Sequence, residues 1–340
     1  MSNLSPRLRK GFGSRFGKGI GFATKLRASH KSWGTESFRI MLWQAKKELL
    51  GGPKFMTWNI EGKTALVTGG SSGIGFETVR GLAKLGCNVI LTSRSGAKAR
   101  EVAKSLTNDS ARVEGLELDL TTPASIRTFV DEASKNLNKL DILINNAGLI
   151  AGKRVETPEG FEYTFAANYL GPYLLTRLMM SKLEATDGYR VINLSSELYR
   201  NAKRGLDFSD LQLKKGYSSS KAYANSKLAT MLFTLELQNV LAGTTSRAFA
   251  VHPGVIRTNF GTGQNSSKSM ALMMKLMGPL LKPAETGART SLILASGSEE
   301  QLGNGWYWSE GVPKSPSEIA TNKAASKRLW SVTEDLLGLA

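Results

Sequence analysis

Short apolar runs alternate with helical patterns along most of the chain, and this alternation constrains the fold more than any other feature. From Lys63 onward, runs rich in β-branched and aliphatic residues predict strands at 64–68, 88–93, 113–119, 140–145, 190–195, 247–251 and 305–308. Apolar residues at helical spacing predict helices at 74–85, 97–106, 123–136, 161–183, 219–241, 285–296 and 316–337. Several of the strands are apolar on both faces, as in a sheet that helices cover on both sides. The pattern therefore predicts an α/β fold, a single doubly wound domain with a parallel sheet at 59–340.

The positive charge of the chain is concentrated in an N-terminal extension, residues 1–58. The chain of 340 residues carries 45 Lys and Arg against 28 Asp and Glu, a net charge of +17. Residues 1–50 alone contain 11 basic and two acidic side chains and account for +9 of it. Apolar residues at 38, 41, 42, 45 and 49 recur at helical spacing and predict a short amphipathic helix in this extension.

Three interpretations of the extension stay open. An acid-poor start with Arg and Ser is typical of a transit segment for an organelle, a mitochondrion or a chloroplast. It also suits peripheral contact with an anionic membrane surface, or a solvated tail on an otherwise cytoplasmic protein. A transmembrane span is not expected, because no run of about 18 apolar residues occurs in the sequence.

Disulfide, metal and nucleic-acid functions find little support in the sequence. Cys87 is the single cysteine and begins a predicted buried strand, so it is interpreted as a small core residue. His252 is interpreted as structural, and two isolated histidines with one cysteine make no metal-binding pattern. The net charge alone suggests nucleic-acid binding, but no motif interleaves aromatic and basic residues, so nucleic acid is not an expected partner.

A glycine-rich segment follows the first predicted strand and opens a helix, with the sequence Thr68-Gly69-Gly70-Ser71-Ser72-Gly73-Ile74-Gly75. Glycines permit a tight turn and let the backbone approach a pyrophosphate, which the N-terminus of a helix favours. An ordinary glycine turn is the alternative. The order of strand, loop and helix is the one that a Rossmann-type dinucleotide fold requires, so the segment predicts a cofactor site.

The end of the second predicted strand, Thr92-Ser93-Arg94, bears on which dinucleotide binds. An acid at this point would bind the ribose 2′-hydroxyl of NAD, whereas an Arg suits the 2′-phosphate of NADP. The segment has Arg94 and no acid, so NADP(H) is favoured over NAD. The alternative for Arg94 is a solvated surface charge.

Tyr223 and Lys227 are four residues apart in a predicted helix and share one of its faces. A tyrosine with a pKa near 10 is a poor acid or base at neutral pH, but a neighbouring ammonium favours the phenolate and lowers that pKa. Tyr217 and Lys221 have the same spacing. They are rejected because Tyr217 precedes the apolar helical pattern and follows a Lys-Lys-Gly turn.

Together these motifs resemble the short-chain dehydrogenase/reductase family, and within it the retinol-dehydrogenase-like members. The resemblance covers most of the chain and rests on Thr68-Gly-x-x-x-Gly-x-Gly75, Asp119-Leu120, Asn145-Asn146-Ala147-Gly148, Asn168, Ser195-Ser196, Tyr223-x-x-x-Lys227 and Pro253-Gly254-Val-Ile-Arg-Thr258. The C-terminal Gly303-x-x-Trp-Tyr-Trp308 is similar to the same subgroup.

The resemblance implies an oxidoreductase that moves a hydride between a nicotinamide and a carbonyl or alcohol. Tyr223 would be its acid and base, and Lys227 would hold the ribose hydroxyls. Ser196, rather than Ser195, would bond the substrate oxygen, and Asn168 would hold a water of the proton relay. The implied cofactor-binding residues are Gly69, Ser71, Ser72, Gly73, Ile74, Gly75, Arg94, Asp119, Leu120, Asn146, Ala147, Gly148, Tyr223, Lys227, Pro253, Gly254, Val255, Ile256 and Thr258.

The apolar, methionine-rich stretch at 270–281 suggests a lipophilic carbonyl or alcohol as substrate, although the same stripe would pack a helix against the domain. Two other functions stay open. One is a noncatalytic nucleotide-sensing scaffold at an organelle membrane, and the other is an NAD-dependent alcohol dehydrogenase. Dimers and tetramers are frequent in the resembled family, so a homo-oligomer is one assembly that the resemblance implies.

Deleting residues 1–50 tests the role of the basic extension. We expect the truncated protein to lose its association with an organelle or membrane and to keep its NADPH binding, because the charge lies outside the predicted domain. Cell fractionation and NADPH titration measure the two effects. Unchanged localisation would contradict both the targeting and the membrane interpretation.

Overall fold

The first half of the domain alternates strands and helices in regular order. A computed structural model describes the chain over residues 58–256 and 281–339. Its first elements are β1 (Thr64–Val67), α1 (Gly73–Lys84), β2 (Asn88–Ser93), α2 (Gly96–Leu106), β3 (Val113–Glu117), α3 (Pro123–Asn136) and β4 (Ile142–Asn145). The predicted basic extension, Thr258 and nearly all of the methionine-rich stretch lie outside the described residues.

The second half continues the alternation with a less regular helix. Helix α4 has an α-helical turn (Tyr163–Phe165), a π-helical part (Ala166–Leu170) and an α-helical part (Gly171–Leu178). The elements that follow are α5 (Met180–Glu184), β5 (Arg190–Leu194), a 3₁₀ turn (Glu197–Asn201), α6 (Ser219–Val240), β6 (Arg247–His252), α7 (Ala284–Ser296), α8 (Glu299–Leu302), β7 (Tyr307–Ser309), β8 (Val312–Pro313), a second 3₁₀ turn (Glu318–Ala320) and α9 (Lys323–Leu337).

The strands form one sheet in the order β3-β2-β1-β4-β5-β6-β7-β8. Neighbouring strands run parallel except β7 and β8, which pair antiparallel. The chain moves outward from β1 to β3 and then returns to place β4 on the other side of β1. In an open parallel sheet, ligands bind beyond the carboxyl ends of the strands at such a reversal. The predicted α/β fold is confirmed, and its topology points to the ends of β1 and β4.

Side chains of the central strands pack alternately into two cores, one on each face of the sheet. Leu66 and Leu143 belong to the core that includes residues of α3, α4, α6 and α9. Their neighbours Val67 and Ile144 belong to the other core, with residues of α1, α2 and α7. All four of these strand residues are fully buried, which explains why the strands read as continuous apolar runs.

Helix α9 packs against the two helices that carry the predicted catalytic residues. Its Trp330 ring lies 5.1 Å from the ring of Tyr173 on α4 and 5.9 Å from that of Phe233 on α6, between centroids. The Tyr169 hydroxyl and Thr333 Oγ1 are 2.6 Å apart and both side chains are buried. Thr333 Oγ1 donates to the Leu329 carbonyl, so Tyr169 is the donor to Thr333. The C-terminal helix therefore braces α4 and α6 from outside the sheet.

The largest differences from the predicted elements occur at short or interrupted segments. The predicted helix 161–183 is divided by the π-helical part and by a break at Met179, and the predicted helix 316–337 begins only at Lys323. Asn322 caps that helix by accepting a hydrogen bond from the Ala325 amide. Strand β8 has only two residues, too few to produce a readable alternation. Among the described residues, no helix is long and apolar enough to cross a bilayer.

Thr333→Val tests the brace between α9 and α4. The substitution keeps the shape of the side chain but leaves the buried Tyr169 hydroxyl without its acceptor, so we expect the free energy of unfolding to fall by about 1–3 kcal/mol. Chemical denaturation measures it. Thr321 is exposed and its hydroxyl donates to the backbone carbonyl of Glu318. It provides the control, because Thr321→Val should change the free energy of unfolding by less than about 0.5 kcal/mol. Equal losses in the two variants would contradict the brace.

Candidate active site

The glycine-rich loop after β1 has a backbone conformation and close contacts that favour glycine. Gly69 and Gly73 lie in the left-handed region, with φ of +65° and +56°. A Cβ at Gly75 would lie 2.2 Å from the Gly69 carbonyl oxygen and 2.5 Å from Asn146 Nδ2. The loop and the first turn of α1 therefore approach each other closely enough to exclude any side chain at Gly75.

The loop after β4 is bonded directly to the glycine-rich loop. The amides of Asn146 and Ala147 both donate to Thr68 Oγ1 at 3.0 Å, and Asn146 Nδ2 donates to the Thr68 carbonyl at 2.7 Å. Thr68 was not among the predicted site residues, although its place at the start of the glycine motif is a readable signal. These bonds hold the two sides of the crevice at the reversal point together.

The N-terminus of α1 keeps its backbone donors available. Ser72 is the N-cap of α1 and makes no side-chain hydrogen bond to the helix, whereas Ser95 caps α2 by accepting from the Lys98 amide. The first amides of a helix have no partner within it and attract anions. The turn formed by Ser71, Ser72, Gly73, Ile74 and Gly75 thus fits the pyrophosphate of a dinucleotide.

Arg94 and Asp119 lie beyond the ends of β2 and β3. Arg94 is exposed, and its Nη1 donates to the Tyr163 hydroxyl at 3.5 Å. The carboxylate opposite Ser93 in the sheet register, Glu117, accepts from the Gly96 amide. Asp119 Oδ1 accepts from the amide and the hydroxyl of Thr121 at 2.9 and 2.8 Å. Leu120, the next residue, is buried.

Helix α6 brings Tyr223 and Lys227 to the carboxyl end of β5. Ser218 caps the helix by accepting from the Lys221 amide, and the helix is buried over most of its length. Lys227 Nζ donates to the Leu194 carbonyl at 2.8 Å and lies 5.6 Å from the centroid of the Tyr223 ring. Tyr223 and Lys227 are 8% and 4% exposed, respectively.

The two serines after β5 have different partners. Ser195 Oγ donates to the Lys227 carbonyl at 3.0 Å, so its hydroxyl is engaged with the backbone of α6. The Ser196 side chain lies close enough to Tyr223 to act on the pKa of its phenol, and its Oγ accepts from the Leu198 amide at 3.3 Å. Of the two hydroxyls, Ser196 is therefore the one placed beside Tyr223.

Asn168 lies in the middle of the π-helical part of α4. Pro172 has no N–H, so the Asn168 carbonyl cannot receive the ordinary α-helical hydrogen bond from the residue four positions later. Thr230 Oγ1 reaches this carbonyl at 3.4 Å instead. The Asn168 side chain bonds both backbone groups of Leu149, at 2.8 and 2.9 Å, and Ser226 Oγ at 3.0 Å. Asn168 thus joins α4, α6 and the loop after β4.

Burial dominates the electrostatics of the pair on α6. Desolvation raises the pKa of Tyr223 to about 12, while the hydrogen bond with Ser196 acts to lower it. Desolvation also lowers the pKa of Lys227 to about 8. Burial therefore outweighs the other influences on the Tyr223 phenol in the protein alone, where the Lys227 ammonium is bonded to the Leu194 carbonyl. The lowering of the Tyr223 pKa by Lys227 stays a prediction.

The segment after β6 completes the edge of the crevice. Gly254 has φ of +91°, and a Cβ there would lie 3.0 Å from Glu310 Oε1. Val255 is 62% exposed and Ile256 is 6% exposed. Gly148 is close to the pair on α6, since a Cβ at this glycine would lie 3.5 Å from Lys227 Nζ. Thr258 lies outside the described residues.

Tyr217, Cys87 and His252, which the sequence does not assign to the site, occupy structural positions. The Tyr217 hydroxyl donates to the carbonyls of Ala151 and Lys153, both at 3.2 Å. Cys87 is fully buried and its pKa is raised to about 12, chiefly by burial. His252 is at the end of β6, and burial lowers its pKa. Among residues 58–256 and 281–339, no group of three or more His, Cys, Asp or Glu side chains is arranged to hold a metal ion.

Comparison with known proteins agrees with this geometry. A family model described as short chain dehydrogenase matches residues 63–269. Retinol dehydrogenase 12 of Mus musculus is 38% identical over 296 residues, which cover 86% of this chain and 92% of that protein. Retinol dehydrogenase 13 of the same organism is 39% identical over 305 residues, with coverage of 87% and 90%.

Solved structures are also similar to this chain over most of its length. An uncharacterized protein from Mycobacterium paratuberculosis is 32% identical, with a TM-score of 0.66 and coverage of 83% of this chain and 96% of that one. A blue fluorescent protein from a metagenomic library, crystallised in complex with NADPH, is 28% identical, with a TM-score of 0.57 and coverage of 74% and 97%. The motifs, the sheet order and these matches have one explanation, which is that the chain belongs to the short chain dehydrogenase family and is an oxidoreductase that acts on CH–OH or C=O groups.

Proposed function

We propose that the protein is an NADP(H)-dependent oxidoreductase that interconverts a carbonyl and an alcohol on a lipophilic small molecule, with Tyr223 as its acid and base. The observation that carries the proposal is the meeting of Ser196, Tyr223 and Lys227 at the carboxyl end of β5, where Ser196 follows the strand and the Lys227 ammonium lies 5.6 Å from the centroid of the Tyr223 ring. A nicotinamide cofactor supplies hydride transfer when it is bound there.

The crevice fits a dinucleotide on the grounds of space and donors. Left-handed glycines and the exclusion of a side chain at Gly75 let a ligand approach the backbone. The uncapped amides at the start of α1 supply donors for its phosphates. Asp119, Leu120, Asn146, Ala147 and Gly148 would line the adenosine and ribose portions. Pro253, Gly254, Val255 and Ile256 would meet the carboxamide, and Thr258 remains a proposed phosphate contact.

The choice of NADP(H) over NAD rests on Arg94. This guanidinium is exposed beyond β2 and its recorded side-chain contact is with a neutral hydroxyl, that of Tyr163. A 2′-phosphate is a strong acceptor for such a group. Glu117 is the carboxylate nearest in register to Ser93, and it already accepts from the Gly96 amide. This end of the crevice therefore favours an anionic substituent on the ribose.

Each of the four site residues has its own role in the proposed reaction. Ser196 donates to the substrate oxygen and holds it near the Tyr223 hydroxyl. Tyr223 gives a proton to a carbonyl that is being reduced, or takes one from an alcohol that is being oxidised. Lys227 binds the ribose hydroxyls. Asn168 joins α4 to α6 through Ser226 and would hold a water of the proton relay.

The lipophilic character of the substrate is inferred from the rim of the site and from the relatives. Leu198 and Val255 are large apolar residues, 49% and 62% exposed, next to Ser196 and after β6 respectively. The matched relatives bear the name retinol dehydrogenase. A noncatalytic scaffold is disfavoured because Ser196, Tyr223 and Lys227 are all present. The basic extension would bring this enzyme to an organelle or a membrane surface.

Tyr223→Phe tests the acid and base role. We expect kcat/KM for NADPH-dependent reduction of hydrophobic aldehydes to fall by about a hundred- to ten-thousand-fold, because the proton donor is removed. Steady-state assays measure the loss, and NADPH titration checks that binding persists. Tyr217→Phe is the matched control and should keep activity within about twofold. Loss of turnover in Tyr217→Phe with full activity in Tyr223→Phe would reverse the assignment.

Arg94→Ala tests the cofactor preference. Removing a charged donor to the 2′-phosphate should raise the KM for NADPH by about 10- to 100-fold and leave the KM for NADH nearly unchanged. Arg112, exposed at the other end of the sheet where it pairs with Glu114, provides the control Arg112→Ala, with no change for either cofactor. An unaltered NADPH KM in Arg94→Ala would contradict the NADP(H) proposal.

A further inference from the structure

A polar contact joins the turn that follows Ser196 to strand β7. The Tyr307 hydroxyl donates a hydrogen bond to Glu197 Oε1, and Arg200 Nε donates to Glu197 Oε2 at 2.6 Å. Tyr307 is fully buried, whereas Glu197 is half-buried. Each oxygen of this carboxylate is therefore held by a different donor, one from the sheet and one from the turn itself.

Burial acts to raise the pKa of Glu197, but the hydrogen bonds from Tyr307 and Arg200 lower it below its usual value. The carboxylate is thus charged at neutral pH. A hydrogen bond to a charged acceptor is stronger and more tightly oriented than one between neutral groups. The contact between Glu197 and Tyr307 is therefore suited to fixing the turn that follows Ser196 relative to strand β7.

The same turn has a second attachment through Tyr199. The Tyr199 ring packs edge-on against Tyr307, with centroids 6.0 Å apart and an interplanar angle of 89°. Its hydroxyl accepts from the Ser317 amide at 2.9 Å. The turn is thus anchored to two C-terminal parts of the chain, β7 and the segment before α9.

Ser196 links this anchored turn to the acid and base. It is the N-cap of the turn, where its Oγ accepts from the Leu198 amide. The turn packs against α6, which carries Tyr223, and Ser196 lies close enough to act on the Tyr223 phenol. Any displacement of the turn would move the Ser196 hydroxyl relative to Tyr223. The direction of that hydroxyl consequently depends on what holds the turn.

We propose that Glu197 and Tyr307 are positioning residues, which hold the Ser196 hydroxyl beside Tyr223 by fixing the turn to β7. The proposal rests on the proposed function, in which Ser196 bonds the substrate oxygen. Neither Glu197 nor Tyr307 touches the reacting atoms. Their effect on catalysis passes entirely through Ser196. Substituting them should therefore lower activity only when the Ser196 hydroxyl is present, which a general loss of stability would not do.

Tyr307→Phe, made alone and in combination with Ser196→Ala, tests whether the effect of Tyr307 depends on the Ser196 hydroxyl. In the wild-type background we expect kcat with NADPH and a hydrophobic aldehyde to fall by about tenfold, with the KM for NADPH unchanged. In the Ser196→Ala background the same substitution should cost less than about twofold, because the group that it positions is already absent. Equal losses in both backgrounds, or no loss in the wild type, would overturn the proposal.

Tyr189→Phe is the matched control. Tyr189 is also buried and its hydroxyl contacts Met180 Sδ, but it precedes β5 at the end of the sheet away from Ser196. We expect its kcat to stay within about twofold of wild type. If Tyr307→Phe fails to fold, Glu197→Gln replaces it in the cycle with the same interpretation, since the amide keeps the shape and loses the charge.

A spectroscopic measurement separates this proposal from the proposed function. The NMR signal of the Tyr223 ring carbon that bears the hydroxyl reports hydrogen bonding at that group in protein labelled at this tyrosine carbon, assigned with Tyr223→Phe. Tyr307→Phe should move the signal toward its position in Ser196→Ala, whether or not the protein turns over a tested aldehyde. A signal that Ser196→Ala moves and Tyr307→Phe leaves in place would overturn the positioning role alone.

Discussion

The burial of the parallel sheet on both faces is the constraint from which the rest of the structure follows. Two neighbouring parallel strands can be joined only through a crossover, so helices cover both faces of the sheet. The candidate site therefore lies beyond the carboxyl ends of the strands. Because the chain reverses between β1 and β4, the loops after these two strands face each other across a crevice. Hydrogen bonds from Asn146 and Ala147 to Thr68 then hold the crevice at one width.

The same burial makes the helices that carry the site long and apolar, and it limits where polar side chains can go. Asn168 is an example, since its buried side-chain amide bonds both backbone groups of Leu149 and the Ser226 hydroxyl. Removing its partners would leave buried donors and acceptors unsatisfied. Helix α9 adds to this rigidity through the hydrogen bond between Tyr169 and Thr333, which joins it to α4.

Most of the fold was readable from the sequence because its signals are local and repeated. The strand at Asn88–Ser93 and the helix at Pro123–Asn136 agree with their predicted bounds, since apolar periodicity and a proline at the first turn mark them. Side-chain contacts between residues far apart in the sequence could not be predicted from it. The sequence contains Asn168 four residues before Pro172, a signal for the π-helical part, but nothing local indicates that Tyr307 would reach Glu197. The spacing of Tyr223 and Lys227 placed this pair on one helix face, whereas the addition of Ser196 came from a family resemblance.

The electrostatics of α6 have a consequence for the direction of the proposed reaction. With a pKa raised to about 12, Tyr223 keeps its proton at neutral pH in the protein alone, and a protonated phenol is the form that reduces a carbonyl. Oxidation of an alcohol needs the phenolate, so a bound cofactor would have to move positive charge toward Tyr223. Lys227 is the group that can do so, because its ammonium now bonds the Leu194 carbonyl and ribose hydroxyls would compete for it. The environment of this one lysine therefore bears on the protonation state of Tyr223.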